Sequence, residues 1–245
     1  MPRDRFFIEG VHAAAARVIF ASDDAHKIAT VLRMRTGDRV VAVDSSGTAY
    51  EAVLEVDGRD VAATLGGPVA APDPEPGLAI TIAQAVPKGQ KMELVVEKTT
   101  ELGVAAIVPV RSARVVAHDV SPAKLERWRR VARSAAQQSG RARIPDVRDV
   151  AEWPALLATF PQYDRIYIPW EVAERVPLRD VLESDLAGAA SVLVVIGPEG
   201  GFAAHEVESA VAAGARTVSL GARILRTETA ALAVVAVLRY VAGEM

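Results

Sequence analysis

Residues 192–202 read V-L-V-V-I-G-P-E-G-G-F, and the step from an apolar run into a glycine-rich bend decides the fold. Five consecutive branched or aliphatic residues, 192–196, suit a strand covered on both faces, as in a parallel sheet. Gly197, Gly200 and Gly201 then let the backbone turn sharply and approach a ligand closely. A helix is expected to follow at 203–213. The same strand–helix alternation extends in both directions. Strands are predicted at 78–86, 105–108, 165–168 and 217–220, and helices at 90–102, 121–139 and 227–241. Helix 90–102 carries apolar or small side chains at 92, 95, 96, 99 and 102, and Gly103 stops it. For 121–139, Ser121 serves as the N-cap, Pro122 as the first helical residue and Gly140 as the stop. Such alternation specifies an α/β domain with a mainly parallel sheet, whose ligands bind beyond the carboxyl ends of the strands.

The N-terminal part reads differently. Segments 39–43, 49–56 and 60–65 are β-branched or alternating. The turn signals Asp44-Ser45-Ser46-Gly47 and Asp57-Gly58 separate them. With a short helix near 24–33, this pattern fits a small β-barrel. Residues 66–77 hold four prolines and three glycines, which disfavour regular structure. The expected organisation is a small barrel at 1–70, a linker at 71–77 and an α/β domain at 78–245.

The chain has 245 residues, half of them apolar, a net charge of −3 and no cysteine. Disulfides and thiolate metal sites are therefore excluded. The opening MPRDRFF places charges where a signal peptide needs an apolar run. The longest apolar run, 230–238, is too short to span a bilayer, which needs about 20 residues. A soluble, cytoplasmic chain is expected. Charge is unevenly spread: 111–148 carries ten Lys/Arg against three acids. On helix 121–139, Leu125, Trp128, Ala132, Ala135 and Ala136 share one face, and Arg127, Arg130, Ser134 and Gln137 share the other. An arginine face suits phosphate oxygens; a solvated surface paired with acidic neighbours is the alternative.

The loop at 197–201 is neither G-x-G-x-x-G nor a P-loop. Glu199 inside it would repel a pyrophosphate and tolerate a cationic or uncharged ligand. S-adenosylmethionine, with a sulfonium and an ammonium but no phosphate, is such a ligand; a plain strand–helix turn is the other reading. A second bend, L-G-A-R-I-L-R-T-E-T-A at 220–230, joins a strand to an Ala/Val helix that is apolar all round and so must be covered on every side. Glu228 there complements the helix dipole. Glu93, Glu97 and Glu101 repeat at i, i+4, which costs about 0.2–0.5 kcal/mol per pair unless cations offset it, with Arg111 or Arg114 as candidates.

GPEGGF at 197–202 followed by LGARILRTETA resembles the signature of the ribosomal RNA small-subunit methyltransferase E family, one of the SPOUT class of knotted methyltransferases. KGQKMELVVEKTTELGV at 88–104, ERWRRVARSAAQQSGRARIP at 126–145, RFF at 5–7, HKIATVLRMRTGD at 26–38 and the tyrosine-bearing strand at 49–54 are similar to its pattern too. The likeness covers nearly the whole chain in order. It departs at Ala203, where such sequences often carry Ser or Thr, and at 111–117, to which no role is carried over.

The resemblance implies a PUA-like β-barrel that helps hold RNA, and a trefoil-knotted SPOUT domain. It implies a homodimer that transfers a methyl group from S-adenosylmethionine to uridine N3 of 16S rRNA in the small ribosomal subunit. By position, the donor would be held by Ile168, Pro169 and Trp170, by Gly197, Pro198, Glu199, Gly200 and Gly201, and by Leu220, Gly221, Ile224, Leu225, Arg226 and Thr229. Arg226 and Glu199 are the catalytic candidates, the first to stabilise charge on the base, the second to face the donor's cationic end. RNA contacts are expected from Arg127, Arg130, Arg141, Arg143 and Arg33. No metal is expected. The competing readings are a knotted methyltransferase acting on ribose 2′-oxygens, a non-catalytic rRNA-binding assembly factor, and, least supported for want of a fingerprint, a Rossmann dehydrogenase.

Overall fold

A computed structural model describes residues 4–69, 75–114, 120–171 and 176–245, without the side chains of 183 and 184. Two compact units emerge: Met1–Glu75 with Ala136–Arg143, and Pro76–Ala135 with Ile144–Met245. The first boundary falls within the expected linker. The second was not expected: the end of the 121–139 helix and the turn after it group with the N-terminal unit.

The first unit is a five-stranded sheet of β1 (Arg5–Phe7), β2 (Arg17–Ile19), β3 (Arg39–Val43), β4 (Ala49–Asp57) and β5 (Asp60–Pro68), in the order β1-β3-β4-β5-β2. Only the β1–β3 pair is parallel. The edge strands β1 and β2 form no ladder with each other among the described residues, so the expected barrel is observed as an open hydrogen-bonded sheet. Asp44 builds the β3–β4 turn, its carboxylate accepting the Ser46 and Thr48 amides at 2.9 and 3.1 Å and the His12 amide at 3.1 Å. Burial pushes that carboxyl up, but the Ser46 hydroxyl, donating at 2.6 Å, and these amides together win and hold it below the usual carboxylate range. The helix expected at 24–33 is α1 (Ser22–His26) running into a π-helical turn, Lys27–Val31. Gln137 is tied to this segment, its amide donating to Asp24 at 2.8 Å and its oxygen accepting from Lys27 at 3.3 Å.

The second unit is a parallel sheet. In chain order its elements are β6 (Ala79–Ala85), α2 (Lys91–Glu101), β7 (Ala106–Arg111), α3 (Pro122–Gln138, whose last residues belong to the first unit), β8 (Asp146–Val147) and β9 (Ala151–Glu152). There follow α4 (Trp153–Leu157), β10 (Arg165–Pro169), α5 (Leu178–Asp185), β11 (Ser191–Ile196), α6 (Ala204–Ala212), β12 (Arg216–Val218) and α7 (Thr227–Val241). The strand order is β12-β10-β11-β6-β7-β8, with β9 on β7. β6 and β11 lie at the centre and are buried almost throughout, which is why β11 reads as an apolar run and β6 is interrupted only by the buried Thr81 and Gln84. One core layer packs Trp128, Val194, Val235 and Leu238, and the other packs Phe160, Leu193, Val195 and Phe202.

Ser121 caps α3, its hydroxyl accepting from the Lys124 amide at 3.3 Å. α7 begins and ends where the sequence indicated. Val234, Val235 and Leu238 on its inner face are buried, worth about 1.5–3 kcal/mol each. Its outer face stays apolar and open at Val237, Tyr240 and Val241. Near the end of α7, Arg239 is buried and donates to the carbonyls of Leu78, Leu102 and Gly103. It thereby satisfies the orphan carbonyls where α2 stops. Among the described residues, no helix is long and apolar enough to cross a membrane.

Candidate active site

The site forms where β10, β11 and β12 end. Beyond β11, the chain turns from Pro198 to Gly201, whose amide donates to the Pro198 carbonyl at 2.9 Å. Gly201 has φ +65°, a left-handed conformation that favours glycine. A Cβ on Gly197 would stand 3.2 Å from the Phe202 ring, a tight approach that glycine relieves. α7 enters beside this turn. The Thr227 hydroxyl donates to the Gly197 carbonyl and accepts from the Gln84 amide at 2.9 Å, joining the ends of β11 and β6 through one side chain.

These bends enclose two adjoining cavities of about 340 and 230 Å³. Both are lined by Pro169, Trp170, Glu171, Ile224, Leu225 and Ala230. The larger adds Lys91, Ile196, Gly197, Pro198, Glu199, Gly201, Phe202, Arg226 and Thr227; the smaller adds Ser219, Leu220, Gly221, Ala222 and Arg223. The walls are mixed: flat apolar groups, backbone at three loops and a few charges. Ile224 is 85 % exposed, an apolar side chain held out at the rim.

The charges are ordered. Glu199 Oε1 accepts from Lys91 Nζ at 2.9 Å and from the Lys88 amide at 3.1 Å. Lys91 Nζ also lies 3.6 Å from Glu228 Oε2, an oxygen buried without a hydrogen-bond partner. Burial pushes the Glu199 carboxyl up, but Lys91 and the backbone amides outweigh it and hold it below its usual range. The hydrogen bond to Glu199 in turn raises Lys91. Both are therefore ionised at neutral pH. Arg226, at the N-cap of α7, is exposed, lines the larger cavity and has no ion-pair partner among the described residues.

Known relatives share this architecture. Residues 74–239 match a family model described as an RNA methyltransferase domain, and residues 20–63 one described as an RNA methyltransferase PUA domain. The ribosomal RNA small subunit methyltransferase E of Bacillus subtilis is 33 % identical, over 96 % of this chain and 96 % of its own. The chain belongs to the ribosomal RNA small subunit methyltransferase E family. The family's protein of that name from Mycobacterium bovis is 35 % identical over 92 % of this chain and 87 % of its own. A crystal structure of the ribosomal RNA small subunit methyltransferase E from Neisseria gonorrhoeae bound to S-adenosyl methionine superposes with a TM-score of 0.87, at 30 % identity over 97 % of each chain.

Within this family framework, most of the residues singled out in the sequence meet at the cavities. Pro169, Trp170, Gly197, Pro198, Glu199, Gly201, Ile224, Leu225 and Arg226 line the larger one, and Leu220 and Gly221 the smaller. Three do not. Ile168 is packed into the core with Leu193 and Val195, because successive strand residues face opposite ways. Gly200 turns its α-carbon toward Arg114 rather than the cavity. Thr229 is exposed, carried round the helix by two residues' rotation from Thr227. Glu199 lines the larger cavity with one oxygen, Oε1, engaged by Lys91 and the Lys88 amide.

The arginine set divides. Arg130, Arg143 and Arg33 are at least partly exposed. Arg127 is exposed but paired with Glu93 at 2.8 Å. Arg141 is withdrawn as an RNA contact: its side chain is 9 % exposed and bonded to Glu75 at 2.7 Å. The acidic repeat on α2 is offset by Arg127 on Glu93 and by Lys98 between Glu97 and Glu101. Arg111 instead pairs with Glu152, and Arg114 donates to the Gly200 carbonyl. Sequence reasoning missed Lys91, Glu171 and Phe202 as lining residues. Lys91 and Phe202 lay inside quoted motifs, but nothing local marked them as facing the site.

Proposed function

We propose that this chain binds S-adenosylmethionine in the paired cavities and transfers its methyl group to N3 of a uridine in 16S rRNA of the small ribosomal subunit. One observation carries the reading: three strand-end loops converge on cavities whose charges balance, with Lys91 and Arg226 against Glu171 and Glu199 in the larger one. A site for a pyrophosphate would concentrate cations and free amides. The family relative solved with S-adenosyl methionine supports the same assignment.

The residues fit the donor. Pro169, Trp170, Ile224 and Leu225 offer flat apolar surface for an adenine, and Glu171 a carboxylate for the cationic portion. When bound, the donor supplies an electrophilic methyl group on a sulfonium. The protein's task is then to position uracil and to stabilise N3 once its proton has left. Arg226 is permanently charged and unpaired among the described residues, so it can hold negative charge developing on the base or fix a neighbouring phosphate. Glu199, ionised and shared with Lys91, orders the turn at 88–91 instead of acting as a free base.

The finer architecture belongs to the same reading. The bridge from Gln84 through Thr227 to Gly197 seats α7 against the ends of β6 and β11, and the family resemblance implies a trefoil knot in this domain. Val237, with Tyr240 at 76 % exposure, on α7 supports a homodimer that covers this face. Arg127, Arg130, Arg143 and Arg33 are the proposed RNA contacts, and the cytoplasm, where ribosomes are built, is the proposed location. The test is methylation of ribosomal RNA, small subunits and transfer RNA in parallel, with mass spectrometry of the digests. A methyl on uracil N3 is expected; a methyl on a ribose oxygen, or none on any substrate, refutes the proposal.

A further inference from the structure

The segment leaving β7, residues 111–114, lies against the glycine turn of the proposed donor site. Its backbone and side chain hold that turn at two points. Glu206, in the first turn of α6, is 2 % exposed. One carboxylate oxygen accepts from the Ala113 amide at 2.7 Å, and the other from the Ala203 amide at 2.9 Å. No cation pairs with it among the described residues. Its charge is balanced by two backbone N–H groups and by the amino end of the helix. Beside it, Arg114 Nη1 donates to the Gly200 carbonyl at 3.0 Å, and a Cβ on Gly200 would stand 3.6 Å from the Arg114 Cβ.

We infer that Glu206 and Arg114 are positioning residues for the donor loop, one fixing where the 197–201 turn enters α6 and the other its outward-facing carbonyl. The chemistry explains why a carboxylate stands at 206. Two donors point at it from two separate loops, so it must accept on both oxygens. A glutamine would turn an N–H₂ toward one of them. It also explains how α6 begins without a capping hydroxyl at Ala203: Glu206 reaches back to the Ala203 amide, the reciprocal half of a capping box. The role at the donor rests on the proposed function; the hold on the turn does not.

Two readouts separate these. Hydrogen exchange by NMR reports the Gly201 amide, which the turn protects. In Arg114→Ala and Glu206→Gln, exchange at Gly201 should accelerate about tenfold, while Val194 in the centre of β11 keeps its protection. Calorimetry with S-adenosylmethionine should show affinity reduced about fivefold to tenfold in Arg114→Ala, the net worth of one ordinary hydrogen bond, with partial recovery in Arg114→Lys. Arg114 is exposed, so this variant should keep the wild-type melting temperature even if Glu206→Gln folds poorly. Unchanged exchange at Gly201 in Arg114→Ala overturns the inference. So does a lowered salt dependence of RNA binding with donor affinity intact, which would make Arg114 an RNA contact. A wild-type chain that binds no donor refutes the proposed function, while the exchange data still judge the hold on the turn.

Discussion

Replacing Thr227 by valine tests the junction on which the site is built. The substitution keeps the β-branched shape and volume and removes only the hydroxyl. That hydroxyl makes two buried bonds, one to the Gly197 carbonyl and one from the Gln84 amide. Gln84 is fully buried, and its Oε1 already lacks a partner. Without the hydroxyl, only the Ala85 carbonyl remains for its amide. Each bond contributes about 0.5–1.5 kcal/mol net, and a carbonyl left unsatisfied costs about 1–3. The sum is a loss of about 2–6 kcal/mol, with no cavity term because the side chains have the same shape. In urea, with a slope of about 2–3 kcal/mol/M, the midpoint should fall by about 1–2 M at unchanged slope. Thr227→Ser retains the hydroxyl and loses one methyl, worth about 0.8 kcal/mol. Donor affinity should fall in the valine variant and hold in the serine variant. If Thr227→Val matches wild type within about 0.5 kcal/mol, or if serine is as damaging as valine, the bridge does not hold the loop to the sheet.

Other expectations follow from the same geometry. Arg226→Ala should slow methyl transfer roughly 100-fold, as loss of one charge-stabilising donor does, with a far smaller change in donor affinity by calorimetry; unaltered single-turnover rates would remove Arg226 from the chemistry. Arg127→Ala with Arg130→Ala should flatten the salt dependence of RNA binding by about 1–2 in log–log slope, and an unaltered slope would leave that face merely solvated. Glu199 predicts a pH effect. Its folded carboxyl lies below the ordinary glutamate value of about 4.3. The stability it contributes is therefore fully present above that value and lost as pH falls through the folded one. The urea midpoints of wild type and Glu199→Gln should differ at neutral pH and converge only below about pH 4. Convergence already by pH 6 would show that the Lys91 pair does not depress Glu199.

The sheet was legible because its central strands are buried on both faces, so β11 spells an unbroken apolar run and β6 a mostly apolar one. α7 was legible from its long Ala/Val stretch, and α3 because Ser121, Pro122 and Gly140 punctuate it. The donor loops could be placed at strand ends, yet which residues face the cavity depended on details that spacing blurs. Ile168 and Pro169 are neighbours, and the pleat sends one into the core and leaves the other at the site. α5 was missed although Leu178, Val181, Leu182 and Leu186 keep helical spacing; it is short and follows Pro177, which reads as a loop. Partners distant in sequence were invisible. Glu199 meets Lys91 and Arg141 meets Glu75 only in the folded chain, and the second pairing changed the expected role. The hold of residues 111–114 on the glycine turn was hidden likewise, because one contact starts from the Ala113 amide and the other ends on the Gly200 carbonyl, and backbone groups carry no signal in side-chain identity.

The most direct measurement is a crystal structure of this chain grown with S-adenosylmethionine. The account predicts donor density in the paired cavities, its adenine against Ile224 and Leu225 and its methionine portion toward Gly197 and Glu171. Donor bound elsewhere, or cavities empty at saturating donor, would contradict it.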